Sequence, residues 1–238
     1  MTKQYALLFG LLLLTSGLPA PAQGQATASV KGVVKFEGTV PKGKPIDMSA
    51  DPYCLKAHPS PVSSEEIVAG PDGGLANALV YVASGLGDRA FTPPAQPAVL
   101  EQKGCMYKPH VLALEANQKL DVVNNDDTTH NIHPLPKNNR EWNKTQPHGV
   151  PIEEAFAREE IPITVKCNVH PWMRGYIAVF KNPFFAVTDK SGGFDLKDLP
   201  PGTYTITVWQ EKLGTKSQSV TVGAGESKAL DFVFRAGS

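Results

Sequence analysis

An excess charge of either sign is missing from this sequence: 23 basic residues face 23 acidic ones over 238 positions. Residues 1 to 22 hold only Lys3, so the remainder balances at 22 − 23 = −1. Near-neutrality excludes the basic footprint that nucleic acid or an anionic lipid surface calls for. Long hydrophobic runs are scarce too. The run Ala6 to Leu14 covers nine residues, well below the roughly 20 that a membrane helix needs, and nothing after it comes closer. Enzyme signatures are absent: there is no Gly-Lys-Ser/Thr phosphate loop, no G-x-S-x-G elbow, no His-Glu-x-x-His and no Cys-x-x-Cys-His haem site. A catalytic role therefore finds no support. Cysteine is rare, at three residues.

What the chain does have begins with a leader. Lys3, the short apolar run and a Pro-rich stretch with Ala20-Pro21-Ala22 read as a secretory signal over residues 1 to 22. No cysteine lies near the cleavage point, so a lipid anchor is not expected. The exported remainder belongs in the periplasm or outside the cell.

Glycine and proline, at 21 each, call for frequent turns and favour β-sandwiches over a helical bundle. Ser29 to Phe36 alternates like a half-buried strand. Leu79 to Val82, Val111 to Leu114, Leu120 to Val123, Ile161 to Val165 and Tyr176 to Phe180 read as further strands. Residues 88 to 98, with Pro93, Pro94 and Pro97, form a linker. Glu153 to Glu160 is open between two helical turns and a loop.

The C-terminal fifty residues resemble the carboxypeptidase regulatory-like (transthyretin-like) β-sandwich family. The matching residues are Thr188-Asp189, Gly192-Gly193-Phe194, Leu199-Pro200-Pro201-Gly202-Thr203-Tyr204-Thr205 and Leu230-Asp231-Phe232. The resemblance implies fold, not chemistry. Such sandwiches open with strands like Val30 to Phe36 and Ala78 to Val82. The expected organisation is thus an N-terminal β segment at 27–97, a middle unit at 98–183 and the C-terminal sandwich at 184–238. The two ends either pair into one sandwich around the middle or stand in tandem.

The middle unit carries the chemistry. Cys167-Asn-Val-His170-Pro-Trp-Met173-Arg-Gly puts a thiol, an imidazole and a thioether within seven positions. Upstream, a strand runs through Asn-Asn-Asp-Asp-Thr-Thr into His130-Asn-Ile-His133, 37 positions before Cys167. Together these segments resemble the cupredoxins, the blue-copper proteins, in their amicyanin-like form. The fold implied is an all-β Greek-key sandwich beside the carboxypeptidase regulatory-like one. One type 1 copper is implied, bound by His130, Cys167, His170 and Met173. Two imidazoles and a thiolate with a weak thioether let copper change oxidation state with little ligand movement. A cysteine or methionine before an apolar strand is ordinarily core; the whole constellation is what points to a metal.

His133 competes with His130 for the remote place, but positions i and i+3 of a strand face opposite ways. The family pattern selects His130. By the same resemblance the Asn131 backbone N–H bonds the Cys167 sulfur, Pro171 stiffens the loop, and the His170 edge lies exposed beside Trp172 as the electron exit. Trp172 is either packing or a docking surface. With Cys167 on copper, Cys54 and Cys105 are left as a disulfide suited to an oxidising compartment. A second metal site from Cys54, His58, Cys105 and His110 is the alternative, and His148 is a solvated loop residue. The resulting expectation is an exported one-electron carrier serving an unidentified redox partner protein. The rival readings are a glycan- or cell-envelope-binding sandwich and copper delivery or storage.

Overall fold

In a computed structural model, the structure describes Met1 and residues 26–236. The expected signal segment thus lies outside the described residues, apart from Met1. The N-terminal part supplies β1 (Ala28–Glu37), a short helix α1 (Pro52–Ala57) and β2 (Leu79–Ser84). The middle holds β3 (Ala98–Gln102), β4 (Tyr107–Lys108), β5 (Val111–Glu115), β6 (Leu120–Asn124) and β7 (His130–Leu135). It continues with β8 (Lys144–Gln146), β9 (Ile152–Glu154), β10 (Glu160–Lys166) and β11 (Arg174–Phe180). The C-terminal part holds β12 (Phe185–Val187), β13 (Gly193–Leu199), β14 (Gly202–Gln210), β15 (Gly214–Val222), β16 (Ser227–Ala229) and β17 (Phe232–Arg235). The segment Glu153 to Glu160 is not helical: β9 and β10 take its two ends, because each has a partner strand to bond while eight residues alone make a marginal helix.

Strands from both ends of the chain build one sandwich. In one sheet β1 lies between antiparallel β13 and parallel β16, and its second half pairs with β17. The facing sheet has the order β12-β2-β14-β15. The inward side chains Val30, Val34, Phe36, Leu75, Val80, Ile206, Val208, Phe232 and Phe234 form a single cluster. Alternation in β1 decides which of its residues enter that cluster. Gly192 closes the sheet edge: a Cβ there would sit 2.2 Å from the Val34 carbonyl oxygen, so the two backbones meet only without a side chain.

The middle strands form a second sandwich, with one sheet ordered β5-β11-β10-β7-β8 and the other β4-β3-β6-β9. Leu100, Leu114, Val122, Ile132, Phe156, Ile163 and Ile177 fill its core. Residues from the β1–β2 connection, Met48 and Cys54, enter the same core. Leu79 from the first sandwich meets Val111, Ala178 and Phe180 of the second, flanked by Tyr81, Tyr176 and Trp209. This apolar seam joins the two bodies. Among the described residues no helix is long and apolar enough to cross a membrane.

Candidate metal centre

The loop between β10 and β11 is short because those strands pair directly, with Lys166 opposite Arg174. The seven residues between them close on themselves. Cys167 N–H donates to the Met173 carbonyl at 3.2 Å, and Met173 N–H donates to the His170 carbonyl at 2.9 Å. Pro171 stands exposed at the turn. The next strand in the sheet is β7, paired with β10 so that His133 faces Lys166. The first residue of β7, His130, therefore arrives beside the loop.

Three donor atoms converge there. His130 Nδ1 and His170 Nδ1 are 2.9 Å apart, and the Cys167 sulfur lies 3.9 Å from His170 Nδ1. Donor atoms of all three residues lie within 4.8 Å of one another. All are inside the protein, with exposures of 0% for His130, 3% for Cys167 and 2% for His170. Met173 is fully buried in the same core cluster as Cys167.

Each imidazole is held from behind by a carboxylate. His130 Nε2 meets Asp126 Oδ2 at 2.8 Å, and His170 Nε2 meets Asp51 Oδ2 at 3.0 Å. A carboxylate accepts only, so each Nε2 carries the hydrogen and each ring presents Nδ1 to the centre. Asp126 also accepts N–H bonds from Gly104 and Cys105, at 2.6 and 2.7 Å, and the Tyr53 hydroxyl at 3.2 Å. Burial works to raise its pKa, but His130 and these N–H groups overcome it and pull the carboxyl down to about 2.

The thiol is prepared in the same way. Asn131 N–H donates to the Cys167 sulfur at 3.3 Å and His170 N–H at 3.4 Å. Burial alone would push the thiol up, yet His130 and the N–H groups of His170, Val169 and Asn131 bring it below its ordinary value. Burial likewise disfavours protonated His130, but Asp126 and Cys167 together raise its pKa. Two nitrogen lone pairs 2.9 Å apart beside an electron-rich sulfur repel unless a proton or a cation stands among them. A proton on His130 or a metal ion would meet that need. Imidazole, imidazole, thiolate and a buried thioether nearby are a donor set suited to copper.

The remaining expected residues fall as follows. His133 points away from the centre, to Glu141 at 2.6 Å and Asn168 at 3.3 Å. The Asn131 side chain accepts from Asn168 N–H at 3.1 Å and donates to the Lys144 carbonyl at 3.1 Å, tying the β10–β11 loop to β7 and β8. Cys54 and Cys105 form a disulfide with an S–S distance of 2.00 Å, and Cys167 is the free cysteine. His58 bonds the Gly104 carbonyl and His110 bonds Glu211, so neither joins the two cysteines. His148 is exposed, its Nδ1 on the Asp126 carbonyl.

The His170 edge is not exposed. Helix α1 and its first-turn cap Asp51 lie over it, with the Cys54 sulfur 3.7 Å from His170 Nε2. Trp172 is half-buried, its ring centre 5.0 Å from that of His170 and its Nε1 donating to the Cys105 carbonyl. Sequence reasoning missed both carboxylates. Asp126 was findable, since it stands in the polar turn four positions before His130; Asp51, 119 positions from His170, carries no local signal.

A model of the carboxypeptidase regulatory-like domain family matches residues 179–235. A search of curated proteins finds no match. Among solved structures, a copper-containing nitrite reductase from Thermus scotoductus SA-01 is 22% identical at a TM-score of 0.35, over 43% of this chain and 25% of that one. A purple cupredoxin from Nitrosopumilus maritimus is 22% identical at 0.30, over 34% of this chain and 98% of that one. Amicyanin from Paracoccus versutus is 19% identical at 0.32, over 42% and 96%. This chain thus spans about a quarter of the nitrite reductase. Likeness of this order says nothing of activity. The architecture is all-β, two sandwiches of which one contains most of the region matched by the carboxypeptidase regulatory-like family.

Proposed function

We propose that this chain is an exported one-electron carrier with a single type 1 copper held by His130, Cys167, His170 and Met173. The convergence of two imidazole nitrogens and a low-pKa thiol in one buried spot carries the reading. Copper, when bound, supplies a one-electron change between Cu(II) and Cu(I). The chain's own residues keep that change cheap: the carboxylates hold both rings, Asn131 and His170 N–H groups hold the sulfur, and burial keeps water out.

A carrier fits better than an enzyme. Catalytic metal sites keep one position open for substrate, whereas here the buried Met173 would supply a fourth ligand and Asp51 shuts the outer edge of His170. The leader expected at residues 1–22 and the Cys54–Cys105 bridge support export to an oxidising compartment. With the imidazole edge covered, exchange with a partner protein runs through Trp172, whose ring touches His170. Trp172→Ala should slow that exchange and leave the metal's spectrum nearly unchanged.

The test is titration of the purified metal-free protein with Cu(II), followed by visible absorption and EPR. One equivalent should produce an intense thiolate-to-copper band. A folded protein that takes no copper, or takes it without that band, overturns the reading and leaves the sandwich as a binding module.

A further inference from the structure

Asp51 sits in the connection between β1 and β2, far in sequence from every expected ligand, yet it divides its carboxylate between two tasks. Oδ1 accepts from Tyr53 N–H at 2.7 Å and Cys54 N–H at 3.2 Å, which caps α1. Oδ2 accepts from His170 Nε2 at 3.0 Å and from the Thr128 hydroxyl at 3.0 Å. Forming the helix therefore fixes the direction in which the second oxygen points.

The helix itself is short. It is six residues long and Cys54 is its one buried residue. Leu55 is 55% exposed, and Tyr53 packs half-buried against the core with its hydroxyl on Asp126, so Cys54 is the only side chain of α1 enclosed in the core. Cys54 is bonded to Cys105, and Cys105 N–H donates to Asp126, the carboxylate behind His130. One covalent bridge thus joins the segment behind one imidazole to the segment behind the other. Both sulfurs are fully buried, which protects the bridge from thiol exchange.

We propose that Asp51 is a positioning residue for His170, held on its mark by the Cys54–Cys105 bridge. The proposal rests on the reading of His170 as a metal ligand. By keeping the hydrogen on Nε2, Asp51 leaves the Nδ1 lone pair for the metal and prevents the ring from turning over. The carboxylate also makes the imidazole a stronger donor, which favours the more highly charged metal. The covering helix closes the edge through which an ion would otherwise leave.

A simple capping role predicts something different, and the contrast gives the test. Serine caps a helix about as well as aspartate but is too short to reach His170. In metal-free protein, ¹⁵N–¹H correlation spectra of the imidazoles should show His170 as one tautomer with hydrogen on Nε2. Asp51→Ser should turn this into a mixture, and so should Cys54→Ala/Cys105→Ala with Asp51 intact. Amide exchange in β10 and β11 should stay slow in both. Loaded with Cu(II), Asp51→Ser should raise the reduction potential and weaken metal binding about 10-fold. Three results overturn the proposal: a single tautomer persisting in Asp51→Ser, an Nδ1–H tautomer in the unsubstituted protein, or loss of β10 and β11 protection in both variants. If copper binds to none of these proteins, the metal reading fails while the tautomers still decide what Asp51 does.

Discussion

Two histidines three positions apart do different work here, and the difference is one of environment. His130 is enclosed, with Asp126 behind it and His170 and Cys167 in front. His133 is bonded to the mostly exposed Glu141, a surface contact worth about 0–1 kcal/mol. His130→Ala should therefore weaken copper binding at least about 10-fold, read by competition with a chelator, whereas His133→Ala should leave it unchanged. The reverse outcome would mean that the upstream strand is out of register. Cys167→Ser should abolish the charge-transfer band of the proposed copper site, whose chromophore would be the thiolate. Met173→Leu should keep copper and colour but raise the potential in voltammetry, because a lost weak donor disfavours Cu(II) more than Cu(I).

Strand β10 shows how one element is anchored at the end away from the loop 167–173. Its first residue, Glu160, is buried and accepts N–H bonds from Lys137, Asn138 and Asn139. Burial would raise its pKa, but those bonds and the Asn139 side chain lower it below its ordinary 4.5. A depressed carboxyl stabilises the fold above its unfolded pKa and loses that contribution as pH falls through the folded one. The contribution of Glu160 to stability should accordingly be constant above about pH 5 and be lost on further acidification. Glu160→Gln should cost about 1–3 kcal/mol at neutral pH and flatten the acid limb in urea titrations run between pH 3 and 7. An unchanged acid limb would remove Glu160 from the account.

At the level of the molecule, the C-terminal sandwich cannot be cut out at its sequence boundary. Strand β1 lies between β13 and β16 and pairs with β17, and β2 lies between β12 and β14. A fragment of residues 184–238 would lack Val30, Val34, Phe36, Leu75 and Val80, a large share of the buried cluster. It should show no cooperative thermal transition by circular dichroism. A sharp transition in that fragment would mean that the N-terminal strands are dispensable.

Several features were legible without coordinates. The strands Leu79 to Val82, Val111 to Leu114 and Tyr176 to Phe180 announce themselves by composition and turn residues, and β-structure is periodic enough to be read locally. The loop from Cys167 to Met173 is legible for the same reason: its chemistry is packed into seven adjacent positions. Folding had to supply what depends on single residues meeting across the chain. Asp51 reaches His170 over 119 positions, and one aspartate before a six-residue helix has no period or motif to betray it. The same contact closes the imidazole edge that the loop by itself would leave open. The sequence alone thus determined the donor set; the burial of those donors, the carboxylate behind each ring and the one covered edge were decided only by the packing of distant segments.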